Sequence, residues 1–263
     1  MLIIADRIDA TRKHIAQAIA AKNAAFIQNE AKAQAAAGVD YIGIKTGAME
    51  EEEELLRWVV EVVQDVTDLP LSVDYRDPAV TKVILPFAGE KPFLNTMRMS
   101  QHALERFLPL AAEHKARVVL GSYGGDPLNE SWEQRLRFLD YRVHQATDMG
   151  FPLDDLYIDT LVSSLSINHR SAIHTFETIQ RVVTEFPGIH TICDLKIISQ
   201  GLPRRKILDR TFVVAAIVQG LDSAILDPTD KQLYETVKAA VLVAGRKEGW
   251  EEYTQAVEEH DFD

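Results

Sequence analysis

The sequence predicts one parallel (β/α)8 barrel, also called a TIM barrel, and three observations carry that reading. The chain has 263 residues, close to the roughly 250 of a single eight-fold barrel. Eight short apolar, β-branched runs alternate with longer amphipathic stretches, the mark of βα units around a parallel sheet. Each run ends in polar residues, at the end of the strand where such barrels keep their chemistry.

Strands are expected at 2–5, 41–44, 71–74, 93–95, 117–120, 156–159, 191–195 and 223–226. Their spacing averages roughly 30 residues, one βαβ repeat. Helices are expected at 23–37, 51–66, 101–113, 132–149, 172–186, 205–219 and 231–244. In the second of these, Leu55, Leu56, Val59, Val62 and Val63 recur at helical spacing. Gly38, Gly150, Gly188 and Gly220 stand where helices should stop. The stretch 78–86 reads as a short helix at most, and the acidic run 50–54 as a solvated helix N-terminus. No linker or low-complexity segment interrupts the pattern, so residues 1–263 read as a single domain.

Composition narrows the function. A net charge of -12 argues against nonspecific nucleic-acid binding. The single cysteine, Cys193, excludes an intrachain disulfide and a cysteine metal cluster; it reads as a small buried hydrophobe in a strand. No apolar run reaches the roughly 18 residues of a membrane span. The opening Met1-Leu2-Ile3-Ile4-Ala5-Asp6 meets charge too soon for a signal peptide and reads as a strand. A cytoplasmic protein with no membrane partner is expected. None of the eight histidines forms an i, i+4 pair, and no metal ligand set is expected. Ser166 and Asn168 are expected to cap the helix after strand six. Gly121-Ser122-Tyr123-Gly124-Gly125 lacks the lysine and spacing of a phosphate loop.

Read in order, the strands end in Asp6-Arg7-Ile8-Asp9, Lys45-Thr46-Gly47, Asp74-Tyr75-Arg76 and Asn95-Thr96-Met97-Arg98. They continue with Gly121-Ser122, Asp159-Thr160, Lys196 followed by Ser199-Gln200, and Asp227. One terminal Asp is often only a helix cap; a polar end on every strand predicts a polar mouth above a dry barrel. Asp74, Asn95 and Asp159 are the most informative subset. A carboxylate accepts two hydrogen bonds from an amidine-like edge, and an amide both donates and accepts. The trio suits a flat heterocycle with an aminopyrimidinone edge, one option among several planar polar ligands.

These residues resemble the pterin-binding methyltransferase family, which includes methyltetrahydrofolate:corrinoid protein methyltransferases and, more distantly, dihydropteroate synthases. The resemblance runs over nearly the whole chain. Its marks are Leu2-Ile3-Ile4-Ala5-Asp6-Arg7-Ile8-Asp9, Val73-Asp74, Leu94-Asn95-Thr96, Asp155-Leu156-Tyr157-Ile158-Asp159, Gly201-Leu202-Pro203-Arg204-Arg205-Lys206 and Gly220-Leu221-Asp222-Ser223-Ala224-Ile225-Leu226-Asp227. It implies a dihydropteroate synthase-like barrel that moves a methyl group between N5 of tetrahydrofolate and a corrinoid (cobalamin). The corrinoid would be carried by a separate partner protein. The pterin, tetrahydrofolate or methyltetrahydrofolate, would be held by Asp74, Asn95 and Asp159. Ser199 and Gln200 would line the reacting side. A homodimer packed through outer helices is also suggested by the family.

The chain departs from the family pattern at three places. Strand one of the family usually ends in Glu-Arg-Ile-Asn, where this chain has Asp6 and Asp9 at the outer positions. Strand two usually reads Asp-x-Asn, against Gly43-Ile44-Lys45. Strand seven usually reads Gly-Leu-Ser-Asn-x-Ser, against Asp194-Leu195-Lys196-Ile197-Ile198-Ser199. The family's asparagine is thought to hydrogen-bond the reacting N5, and Ile197 has no donor to take its place. Lys196, beside it, is the candidate replacement, and Lys196, Asp6 and Asp9 are the candidate catalytic residues.

Lys45, Arg76, Arg98, Lys196 and Arg204 add positive charge to the mouth of an acidic chain. They suit an anionic ligand or the glutamate tail of folate. Equally, Asp6, Asp9 and Asp194 would suffice to neutralise Lys45 and Lys196 internally. Two further readings stay open. One is a diverged paralogue that binds a pterin or other anionic ligand without methyl transfer. The other is a different barrel enzyme using Lys45 or Lys196. For that enzyme, neighbouring carboxylates favour the ammonium over the free amine a Schiff base needs.

Overall fold

A computed structural model describes residues 1–46, 52–74, 77–95, 101–122, 131–160 and 162–260. Its sheet is a closed barrel of eight strands in sequence order, β1 (Leu2–Asp9), β2 (Tyr41–Lys45), β3 (Leu71–Val73), β4 (Phe93–Asn95), β5 (Arg117–Gly121), β6 (Leu156–Asp159), β7 (His190–Asp194) and β8 (Ser223–Leu226). The chain divides into two compact units, one of Ile4–Asp159 and one of Thr160–Asp263 with Met1–Ile3.

In the first unit the strands pair in parallel from β1 to β6. They are connected by α1 (Lys13–Ala20), α2 (Ala24–Ala36), α3 (Glu52–Gln64), α4 (Pro78–Ile84), α5 (Gln101–Glu113) and α6 (Trp132–Asp148). The helix starts are chemically marked. Asn23 accepts from Phe26 N at 3.2 Å, and Asp77 accepts from Ala79 N at 2.8 Å with Pro78 in the first turn. Ser131 and Gln134 form a reciprocal capping box. One face of α3, with Leu56, Val59, Val60 and Val63 buried, packs in one core with Ile42, Ile44, Leu71 and Val73 of the strands. Burying each such side chain contributes about 1.5–3 kcal/mol.

The starts of these strands hold a second cluster. Phe93 meets Tyr41 and Tyr157 edge-on, with ring centroids 5.3 and 4.7 Å apart. Arg117 Nη1 donates to Tyr41 Oη at 3.1 Å, and buried Asp155 lies 2.6 Å from Lys91 Nζ and 3.7 Å from Arg117 Nε. This is the end of the barrel where polar networks serve stability rather than chemistry.

In the second unit β7 and β8 pair in parallel, with α7 (Ser171–Glu185), α8 (Arg205–Gln219), α9 (Lys231–Val243) and α10 (Gly249–His260) around them. Gly220 closes α8 at φ 120°, and a Cβ there would lie 2.8 Å from Val183 of α7. Cys193 is buried, as the sequence suggests. Ser166 and Asn168 do not cap α7. Its N-cap, Arg170, makes no side-chain cap bond. Asn168 Oδ1 accepts from Arg170 N at 3.0 Å in a short turn, and Ser166 Oγ donates to Gln200 O at 3.0 Å. Two helices escape the sequence reading, the eight-residue α1 and the C-terminal α10. Among the described residues no helix is long and apolar enough to cross a membrane.

Candidate functional site

Strand one does not run evenly into the mouth. Ile4 and Ala5 pair with Tyr41 and Ile42, but Ile8 and Asp9 pair with Ile44 and Lys45, so β1 carries one residue more than β2 between them. Such a bulge re-aims the side chains near it. It also explains Gly43. A Cβ at that position would come 2.5 Å from Ala5 O, so the bulged strand leaves room for glycine alone.

The bulge parts two neighbours. Arg7 donates from Nε and Nη2 to Glu30 of α2, at 2.6 and 3.1 Å, a bidentate clamp of strand on helix. Asp6 is buried and accepts from Arg12 Nη2 at 3.1 Å. Asp9 is buried too, and its Oδ1 accepts from Thr11 N at 2.8 Å, which shapes the turn into α1.

At the next strand ends Lys45 Nζ lies 3.1 Å from Asp74 Oδ2, an ion pair with both side chains more than a third exposed. The sequence reading offered Asp6 and Asp9 as counterions for Lys45; the pair with Asp74 was not foreseen. Asn95 and Asp159, which end β4 and β6, are both buried. Thr46 and Ser122, just past β2 and at the end of β5, are fully buried, and their hydroxyls have no hydrogen-bond partner among the described residues. Gly121 pairs in register with Asp159, and its carbonyl accepts from Arg142 Nη1 at 3.1 Å. Arg142 comes from α6, is almost fully buried and lies 4.1 Å over the Phe138 ring. It was missed because an arginine in an amphipathic helix normally reads as solvent-facing. Arg76 and Arg98 lie outside the described residues.

In the second unit β7 runs into a 3-10 turn, Leu195–Ile197. Asp194 Oδ1 accepts from Lys196 N at 3.3 Å, and its Oδ2 lies 3.8 Å from Lys196 Nζ, the internal pairing considered for this lysine. Ile197 is half-buried and Gln200 exposed. The Gln200 carbonyl accepts from Ser164 and Ser166. Ser199 is fully buried and engaged by α8, where Arg205 Nε donates to its Oγ at 3.1 Å. Arg205 Nη2 also donates to Lys196 O at 2.7 Å. Burial pushes the Asp209 carboxyl above its ordinary range, against the Ser199 hydrogen bond and the Arg205 charge; Asp230 adds to the rise. Neither Arg205 nor Asp209 was singled out from the sequence, since an Arg and an Asp at i, i+4 on a helix read as a surface pair. Arg204, at the N-cap of α8, is exposed with a left-handed φ of 52°. Asp227 Oδ1 accepts from Thr229 N at 3.0 Å and forms the turn after β8.

Comparison with known proteins bears on this arrangement. A curated methylcorrinoid:tetrahydrofolate methyltransferase from Eubacterium limosum is 28% identical over 259 residues, 97% of this chain and 96% of that one. Solved structures with the same fold include the dihydropteroate synthase of Coxiella burnetii in complex with pteroic acid. It has a TM-score of 0.66 and 16% identity, covering 82% of this chain and 84% of that chain. The dihydropteroate synthase of Xanthomonas albilineans in complex with 7,8-dihydropteroate also has a TM-score of 0.66. It is 19% identical and covers 92% of this chain and 91% of that chain. The family model described as pterin binding enzyme matches residues 7–227, and the chain belongs to that family.

Proposed function

We propose that this chain is a tetrahydrofolate-dependent methyltransferase that works with a corrinoid protein. The observation that carries the reading is the full-length likeness to the methylcorrinoid:tetrahydrofolate methyltransferase, together with Asp74, Asn95 and Asp159 at the ends of three strands. Those three side chains hold the pterin ring. The methyl-bearing corrinoid is a substrate delivered by its own protein.

The name of the methyltransferase relative points to transfer toward folate. There N5 of tetrahydrofolate is the nucleophile. Its lone pair forms the new carbon–nitrogen bond, the carbon–cobalt pair stays with the cobalt, and the N5 proton leaves to solvent or a carboxylate. A donor to N5 would stabilise the transition state that both directions share and speed each of them. Ile197 offers no such donor. Asp6, Asp9 and Lys196 remain the candidates for moving the proton, and Lys45, Arg76, Arg98 and Arg204 for meeting an anionic tail. A homodimer through outer helices belongs to the same reading. α8 leaves Ile207, Val214 and Val218 exposed, and a monomer alone in sedimentation equilibrium would reject that part.

Ile197 favours a second reading, a paralogue that holds a pterin without transferring methyl groups. Two measurements separate them. Calorimetric titration with tetrahydrofolate and methyltetrahydrofolate should show binding; no heat at millimolar ligand rejects both readings. Incubation of tetrahydrofolate with methylcobalamin should then consume the methylcobalamin absorbance. Pterin binding without that change leaves only the paralogue.

A further inference from the structure

We infer that the bulge in β1 sets Asp6 and Asp9 side by side on the inner face of the strand as one carboxylate pair, with Gln34 of α2 as the positioning residue that holds the inserted strand residue, Arg7. The use of the pair rests on the proposed function, in which it offers the proton leaving N5 two acceptors on one face. Its geometry rests on the first unit alone.

Residues three apart on a regular strand point to opposite faces. β1 breaks that rule, and the contacts on either side of the bulge show how. Ile8 belongs to the core beneath the helices with Ile15, Ile19 and Ile27, as does its in-register partner Ile44. Arg7, immediately before it, turns to the same helix layer and clamps Glu30 of α2. Two consecutive side chains thus leave the barrel on its outer side, which is what one inserted residue produces. Asp9 is opposite Lys45, whose ammonium reaches Asp74 beyond the end of β3, so Asp9 takes the inner face. Asp6 lies between Arg7 and Ala5, and Ala5 is opposite Ile42 of the outer core, so Asp6 takes the inner face as well. Both are buried, Asp6 against Arg12 and Asp9 against the Thr11 N–H.

An inserted residue loses its place in the ladder, and its buried N–H needs another acceptor. Gln34 provides it. Its Oε1 accepts from Arg7 N at 3.1 Å, and its Nε2 donates to Glu30 O at 3.1 Å. The Gln34 side chain is fully buried, so no water can replace a bond it loses. Glu30 stands four residues earlier on the same helix face. One helix therefore grips Arg7 by backbone and side chain together. Burial of Ile8 holds the strand outward just after the bulge, and the Ala10 N to Lys45 O bond at 2.8 Å secures the strand end. Gln34 acts between these points, on the inserted residue itself.

Histidines in place of the two carboxylates read out a shared face directly. Among the described residues no group of three side chains could hold a metal ion, and the wild-type protein gives the background for added nickel(II). Calorimetry with nickel(II) compares Asp6→His, Asp9→His and the double variant. On a shared face both imidazoles can take one ion, and the double variant should bind at least about ten-fold more tightly than either single one. A double variant no tighter than the single ones overturns the proposal, because opposite faces allow no chelation. Adding Gln34→Leu to the double variant leaves the Arg7 N–H buried without its acceptor and should cut that gain at least about three-fold. Gln34→Glu keeps an acceptor oxygen and should hold the gain within about two-fold. An undiminished gain with Gln34→Leu overturns the role of Gln34, and so does a gain lost with Gln34→Glu, which answers even where Gln34→Leu does not fold. A failed pterin titration of the wild-type protein would sink the functional reading and leave the nickel result standing.

Discussion

Lys45 Nζ lies 3.1 Å from Asp74 Oδ2, so a cation from the end of β2 rests on one of the carboxylates assigned to the pterin. The pair is well exposed, and pairs of that kind contribute about 0–1 kcal/mol. It is therefore a weak competitor. A neutral ring that needs both oxygens of Asp74 must displace the ammonium. Lys45→Met should bind a tail-less reduced pterin up to about five-fold more tightly, with the melting temperature changed by no more than about 3 °C. Calorimetry in low and high salt checks this, because salt screens the wild-type pair and should narrow the difference. Weaker binding by the variant would mean that Lys45 touches the ligand.

Restoring the family's amide tests the reacting side. One preorganised donor is commonly worth about 10²–10³ in rate. If the turn after β7 offers position 197 to N5, Ile197→Asn should speed methyl transfer from methyltetrahydrofolate to reduced cobalamin by at least about ten-fold. The reverse reaction shares its transition state and should rise in proportion once substrate binding is accounted for. No gain in either direction would mean that the segment after β7 has been remade for another task.

The fold was legible because its signal repeats. Apolar β-branched runs at regular spacing marked all eight strands within a few residues at their ends, and β4, β6 and β8 fall where expected. What escaped depends on contacts rather than on pattern. Helix α1 is a single short segment whose buried residues are Ile15, Ala18 and Ile19, too few for a periodic signal. Helix α10 is rich in acids, and it is tied down by Glu252 and buried Ala256 rather than by a long apolar stripe. At the site, position was legible and partnership was not. Sequence places Lys45 and Asp74 at neighbouring strand ends, but which of several carboxylates a lysine chooses is decided in three dimensions. Gly43 shows the same limit. Its departure from the family pattern looked like a loss of chemistry, yet the bulge in β1 that fills the space above it explains the glycine sterically.

The opposite end of the barrel should govern stability without touching function. Asp155 is nearly buried and answers both Lys91 and Arg117, whose guanidinium also lies 5.8 and 5.9 Å from the Tyr41 and Tyr157 ring centroids. Removing one partner of a buried pair costs about 3–5 kcal/mol. Lys91 is 40% exposed and can return to water, so Asp155→Ala should lose about 2 kcal/mol in urea unfolding. Pterin affinity should stay within about two-fold, since the change lies at the strand starts. A stability within about 0.5 kcal/mol of wild type would show that the network is not a structural anchor.

Glu252 predicts an acid limb to the stability curve. Its carboxyl takes the Met1 ammonium at 2.5 Å and Lys238 Nζ at 2.9 Å. Burial works against its charge, but the hydrogen bonds and charges of Met1 and Lys238 outweigh that and hold its pKa below the ordinary 4.5. A folded-state pKa below the unfolded one favours the folded protein wherever the unfolded carboxyl is ionised. The contribution is therefore complete above about 4.5 and is lost as pH falls through the lower folded value. Glu252→Gln should be less stable than wild type by about 1 kcal/mol at neutral pH. The gap should close as the pH is taken below about 4. Urea unfolding of both proteins across that range measures it. A gap that stays constant or widens in acid would mean that packing of α10, rather than the charge on Glu252, sets its contribution.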